Sequence, residues 1–156
     1  LSLRRQRQMC IRDRARTSGF HVVAAGKGTK YLPEYHYSTP DTVWDYYGLN
    51  REEALSAGMN SRMFNSFLDG TKSSLEMAAI ANASEMCVPD DGLLFTPCGM
   101  DDLAKFLKPK NKNGVLKHDG QVEVVSSVHR DGKPVYRDLR WGDYAVLQAP
   151  NDYAAS

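Results

Sequence analysis

Apolar and polar positions divide the chain into a short strand, a helical middle and a valine-rich strand pair. Residues 20–25 (Phe-His-Val-Val-Ala-Ala) form an apolar run behind a glycine-closed helix end at 16–19, and they read as a strand. The strand runs into Gly26-Lys-Gly-Thr-Lys30, which reads as a flexible basic loop, and residues 31–40 are aromatic and proline-punctuated, an ordered loop. Two short helices follow. One covers about 41–47, capped by Thr39 or Asp41 and stopped by Gly48; the other opens at Asn50-Arg-Glu-Glu53, with capping-box character, and ends at Gly58. A short helix over 101–108 is ended by Pro109, and 110–114 is a solvated turn. Residues 121–129 and 135–147 flank the Asp131-Gly132 pair and predict a hairpin, with a bulge or bend at Trp141-Gly142. Strand, helices and antiparallel pair in that order suit an α+β fold with a mostly antiparallel sheet packed on helices.

The longest periodic stretch is 63–83. At about 100° per residue, Asn65, Asp69, Lys72 and Glu76 fall on one narrow polar stripe, while Met63, Phe64, Phe67, Leu68, Leu75, Met77 and Ile80 surround it. A helix apolar all round is buried, so a carboxylate and an ammonium on it require a cleft or internal partners. Asp69 and Lys72 are therefore the catalytic candidates, with Lys72 polarising a carbonyl and Asp69 setting its charge and position. The alternative is an intrahelical ion pair of about 0.2 to 0.5 kcal/mol. Gly70 marks either a bend or the true helix start, with Asp69 as its N-cap.

Lys27 and Lys30 flank Gly28 just past a strand end, where ammonium groups and approachable amides suit a phosphate or carboxylate; a solvated basic turn is the competing reading. Asn65 and Glu76 extend the substrate-binding set or satisfy buried partners. His36, between Tyr35 and Tyr37, lines a lid over the Lys27 loop or belongs to a structural aromatic cluster. His21, His118 and His129 lack metal-ligand spacing, so no metal site is assigned. Oxygen atoms of Asp69 and Glu76 are compatible with a divalent ion, but nothing selects one over an ion pair.

Composition narrows the class. With 156 residues, 42% hydrophobic and 25% charged, the chain suits one soluble globular domain, and no apolar run reaches the ~20 residues of a membrane span. The net charge of +1 hides a segregation: residues 1–14 carry +4, and the remainder has fifteen Lys and Arg against eighteen Asp and Glu. Nucleic-acid binding would rest on that tail alone. Residues 1–14 resemble the translated read-through of sequencing adapters and are set aside, leaving 15–156 as a domain of a longer protein. Cys10, Cys87 and Cys98 are widely spaced and odd in number, which favours a reducing, cytoplasmic setting.

Three stretches together resemble one family: Val22-Val-Ala-Ala-Gly-Lys-Gly-Thr-Lys30, Ser38-Thr-Pro-Asp-Thr-Val43, and Phe67-Leu-Asp-Gly-Thr-Lys72 with Glu76-Met-Ala-Ala-Ile-Ala-Asn-Ala83. This is the homoserine-dehydrogenase-like NAD(P)-dependent oxidoreductases, many with a C-terminal SAF domain, related to a second type of deoxyxylulose phosphate reductoisomerase. The resemblance implies a central catalytic and oligomerisation domain, with NAD(P) bound mainly by an N-terminal Rossmann domain absent here. It also implies hydride transfer to a small anionic or phosphorylated carbonyl compound. Lys27 and Lys30 would hold the anion, and Lys72 with Asp69 would face the carbonyl. Two features depart from the pattern: Thr29 separates Gly28 from Lys30 where the reductoisomerase relatives have Gly-Lys-Gly-Lys, and Asp69 and Lys72 are three apart where homoserine dehydrogenases have four. The expected partners are a small-molecule substrate and further copies of the chain, without nucleic acid or membrane. A non-enzymatic ligand-sensing or oligomerisation module using the same cleft is the second reading.

Overall fold

His21–Thr29 form the strand β1, which runs through the middle of the molecule and is buried from Val22 to Gly28. The computed structural model describes residues 2–155; Leu1 and Ser156, at the outer ends of the expected 1–14 and 15–156 segments, lie outside them. Helix α1 (Ser2–Thr17) precedes β1 and is closed by Gly19 at φ 83°. After a 3-10 turn (Pro33–Tyr37) come α2 (Val43–Tyr47), α3 (Arg51–Ser56), α4 (Ser61–Leu68) and α5 (Thr71–Ser84). The chain continues through β2 (Thr96–Pro97), α6 (Leu103–Phe106), β3 (Gln121–Ser126), β4 (Asp143–Gln148) and α7 (Asp152–Ala155).

Among the described residues the sheet has the order β2-β3-β1-β4. β3 is parallel to both β1 and β2, and only β4 runs antiparallel, against β1. The expected α+β class holds, but the sheet is mostly parallel rather than mostly antiparallel. The Asp131-Gly132 turn does form, with His129 N donating to Lys133 O at 2.8 Å and Val128 bridged to Pro134. That pairing stops almost at once, because both edges of β3 are already taken by β1 and β2. The returning chain crosses to the other edge of β1 instead. Every residue of β3 is buried, as befits a parallel strand covered on both faces.

Two further expectations are corrected, one by strand pairing and one by how the helices pack. Residues 26–29 are not a loop: Lys27 is paired in register with Val124 of β3 on one side and Asp143 of β4 on the other. Of the two readings of Gly70 the helix start holds, since the 63–83 stretch is two helices; Gly70 itself, at φ 88°, and not Asp69, is the N-cap of α5. Nor is the stretch apolar outward and buried all round. Leu75 is 67% exposed while Asn65 and Glu76 are 7% and 6% exposed, so the polar stripe faces inward.

Helices α1 and α5 cover one face of the sheet, where Val22, Ala25, Val122 and Val124 meet Met77, Ile80 and Ala81. The opposite face packs Ala24, Val125, Tyr144 and Val146 on Leu107 and Leu116. A satellite cluster of Tyr35, Val43, Trp44, Ala54 and Leu68 joins α2, α3 and α4 beside the carboxyl end of β1. Arg12 and Arg16 both donate to Ser84 O, at 2.6 and 3.1 Å, closing the carboxyl end of α5 where a helix favours cations. Among the described residues no helix is long and apolar enough to cross a membrane.

Candidate active site

The carboxyl end of β1 opens into a cleft of about 220 Å³ between the sheet, the satellite cluster and the start of α5. Four cationic side chains line it: Lys27 and Lys30 from β1 and the residue just past it, Lys72 from α5, and Arg140 from the segment before β4. Its other walls are largely aromatic, with Tyr35, Tyr46, Tyr47, Phe67 and Trp141, and no Asp or Glu is among the lining residues.

Each cation is held differently. Lys27 is buried and ion-paired with Glu76, which reaches it from the second turn of α5. Lys30 lies 5.8 Å from the centre of the Tyr35 ring. The Lys72 ammonium sits 3.7 Å over the Phe67 ring, a cation–π contact that holds it at the wall. Arg140 lies close enough to Tyr47 for its charge to oppose the upward push that burial gives the Tyr47 phenol.

Glycine explains how Arg140 arrives there. Gly28 N donates to Gly142 O at 2.9 Å, and a Cβ on Gly28 would stand 2.1 Å from Leu139 O. The bare backbone of Gly28 therefore admits the 139–142 segment against β1. Trp141, at φ 73°, turns this segment into β4, which accounts for the expected bend at Trp141-Gly142. Gly28 does line the cleft, but its amide is spent on this segment rather than free for a ligand.

The remaining predicted residues divide. Asp69 Oδ1 accepts from Thr71 N at 2.8 Å and Oδ2 accepts from Asn65 Nδ2 at 3.0 Å, so its carboxylate closes the junction between α4 and α5. Asp69 is not among the lining residues, and neither are Asn65, Glu76 and His36. His36 Nδ1 bonds Asp69 O at 2.8 Å, and its ring meets Tyr31 edge-on, outside the cleft. Lys27, Gly28, Lys30 and Lys72 are thus brought together at the surface of one cleft. Glu76 stands behind them, while Asp69, Asn65 and His36 support the junction that aims α5.

Sequence reasoning missed Arg140 and the aromatic walls from α2. Nothing local marks Arg140, because it reaches the cleft only through β4 pairing with β1. It also missed Glu123, a fully buried carboxyl on β3. Burial pushes Glu123 up to about 7, although amides of Val124 and Leu94, at 2.8 and 2.9 Å from Oε1, favour its charged form. Among the described residues no three His, Cys, Asp or Glu side chains converge as a metal site.

A family model described as oxidoreductase DRL, catalytic domain, matches residues 7–156. The chain belongs to this family. The DRL match begins within α1, so it includes the Arg12 that closes α5. No curated protein matches the chain. As a DRL catalytic domain it is an oxidoreductase domain, and its cation-lined cleft is the candidate place for chemistry. The Gly26 and Gly28 pair does not form a dinucleotide cradle: both lie inside a strand paired on both sides, with no helix opening at them. A nicotinamide cofactor is accordingly not carried by this glycine pair.

Proposed function

We propose that this DRL catalytic domain binds and positions a small anionic or phosphorylated carbonyl or hydroxy compound for reduction or oxidation by NAD(P) carried on another part of the parent protein. The observation supporting this is the lining of the cleft, four cations with no carboxylate among aromatic walls. Lys27 is buried and already paired with Glu76, whereas Lys30 and Lys72 are partly exposed and Arg140 is exposed, so positive charge gathers at the solvent-accessible side of the cleft, where it attracts an anion. Lys30 and Arg140 are the leading anion holders, since neither is in an ion pair among the described residues. The volume of about 220 Å³ suits a compact metabolite rather than a polymer. Lys72, fixed on Phe67 at the helix start, is placed to complete the ligand's charge or to polarise its oxygen. Asp69 contributes at one remove, by holding the helix start that carries Lys72.

The test is nicotinamide turnover by the full-length parent on a panel of small phosphorylated and carboxylated carbonyl compounds. Arg140→Ala and Lys72→Ala are each expected to lower kcat/KM by about 10- to 100-fold, the worth of a charge-assisted hydrogen bond. An unchanged kcat/KM in both variants would exclude the cleft as the substrate site.

A further inference from the structure

Lys27 and Glu76 form a buried pair of opposite charges at the edge of this cleft, and they are not equivalent. Both are nearly removed from solvent, at 7% and 6% exposure, yet only Lys27 is among the lining residues. Its backbone is fixed from both sides of β1, by the pairing with Val124 and Asp143. Glu76 is fixed from the other layer, on the buried face of α5 beside Met77. The ammonium therefore has a carboxylate behind it and the cleft in front. A buried pair of this kind is a poor source of stability, because desolvation offsets the attraction. It is also a poor source of anion affinity, because a ligand in the cleft meets a pair of zero net charge.

We propose that Glu76 is a positioning residue, which neutralises Lys27 and aims its ammonium as a hydrogen-bond donor to an uncharged carbonyl or hydroxyl oxygen of the substrate. The anionic group of the same substrate is held separately by Lys30 and Arg140. This rests on the anion-binding reading of the cleft and adds a division of labour among its cations. An ammonium has three donor hydrogens, so one bond to Glu76 leaves donors for the ligand. Lys30 and Arg140 have no such carboxylate among the described residues and keep their full charge for the anion. The ligand class that satisfies both is a compact phosphate or carboxylate with a carbonyl or hydroxyl oxygen a few bonds away.

The experiment is isothermal titration of the chain with two probes at low ionic strength, inorganic phosphate and dihydroxyacetone phosphate. The wild-type chain is expected to bind both, the second more tightly. Lys30→Ala and Arg140→Ala should weaken both by about tenfold. Replacing the pair together, Lys27→Met with Glu76→Leu, should leave phosphate affinity within about twofold and remove the preference for dihydroxyacetone phosphate. Glu76→Gln uncovers the Lys27 charge and should tighten phosphate binding by several-fold, a direction that a purely structural Glu76 would not produce. It also decides the matter if the double variant does not fold. Phosphate binding weakened by Glu76→Gln, or lost in the double variant as fully as in Lys30→Ala, overturns the role of Glu76 and leaves the anion site standing. A wild-type chain that prefers neither probe over the other overturns it as well. Failure of the wild-type chain to bind phosphate, or binding indifferent to Lys30 and Arg140, overturns the anion site and this inference together.

Discussion

The Glu123→Gln variant is expected to be more stable than the wild-type chain at pH 8 and to lose that advantage by about pH 4. Glu123 is fully buried, and burial raises its carboxyl from an ordinary 4.5 to about 7. Between those values the native chain holds a proton that the unfolded chain has released. The contribution of Glu123 to stability is then greatest below pH 4.5, falls as pH rises, and reaches its full penalty above pH 7. A shift of this size corresponds to about 3 kcal/mol at most. Glutamine carries no charge to bury and accepts from the Leu94 and Val124 amides as Glu123 Oε1 does. Its amide would face Gln121 Nε2, which now donates weakly to Glu123 Oε2 at 3.4 Å. Gln121 is unable to turn over cheaply, because its Oε1 accepts from Lys117 N and His118 N, both at 3.1 Å. That mismatch trims the gain at high pH and leaves a small cost at low pH. Urea denaturation of both chains from pH 4 to 8 reads the difference; parallel curves would mean that Glu123 titrates normally.

Gly26→Ala is expected to destabilise the fold by about 3 kcal/mol or more, the upper range for overpacking. A Cβ at Gly26 would stand 1.7 Å from Glu123 O and 3.0 Å from the Tyr144 hydroxyl. Tyr144 donates to that same Glu123 carbonyl at 2.8 Å, so its hydroxyl reaches β3 across the bare backbone of β1. Burial of Tyr144, with the Glu123 charge beside it, holds its phenol well above the usual range, which keeps it a donor at every ordinary pH. An added methyl has to displace either the β3 backbone or this bond. Both lie in the middle of the sheet, where neighbours on each side prevent a local shift. Equilibrium denaturation measures the cost, and a loss below about 1 kcal/mol would show that the three strands can separate there.

Both residues bear on how far the chain could be read without its fold. Asn50 as a cap is visible locally and holds: its side chain accepts from Glu52 N and Glu53 N at 2.8 and 3.3 Å. Gly48 and Gly58 likewise end their helices at positive φ, 66° and 75°. The break at Gly70 was legible as one of two readings, because glycine next to aspartate serves a bend or a cap equally well. Lys27, Lys30 and Lys72, which line one cleft, were legible as candidates, since basic side chains beside glycine or on an apolar helix need a reason. Their partners were not. Lys27 meets Glu76 across 49 residues of sequence, and Arg140 reaches the same cleft only after β4 has bypassed β3.

Local pattern therefore sets the helix ends, the turns, the α+β class and three of the four cleft cations, Arg140 excepted, because capping, φ preference and periodicity act over a few residues. Strand order, the parallel sheet and the separate tasks of Asp69 and Glu76 arise from which edges of β1 and β3 are free when the layers pack. That competition for edges and buried space is a property of the whole chain, and no window of sequence contains it. The 26–30 stretch illustrates the boundary. Its residues announce a basic site, and its pairing on both sides turns an apparent loop into the rigid strand that fixes Lys27 at the cleft.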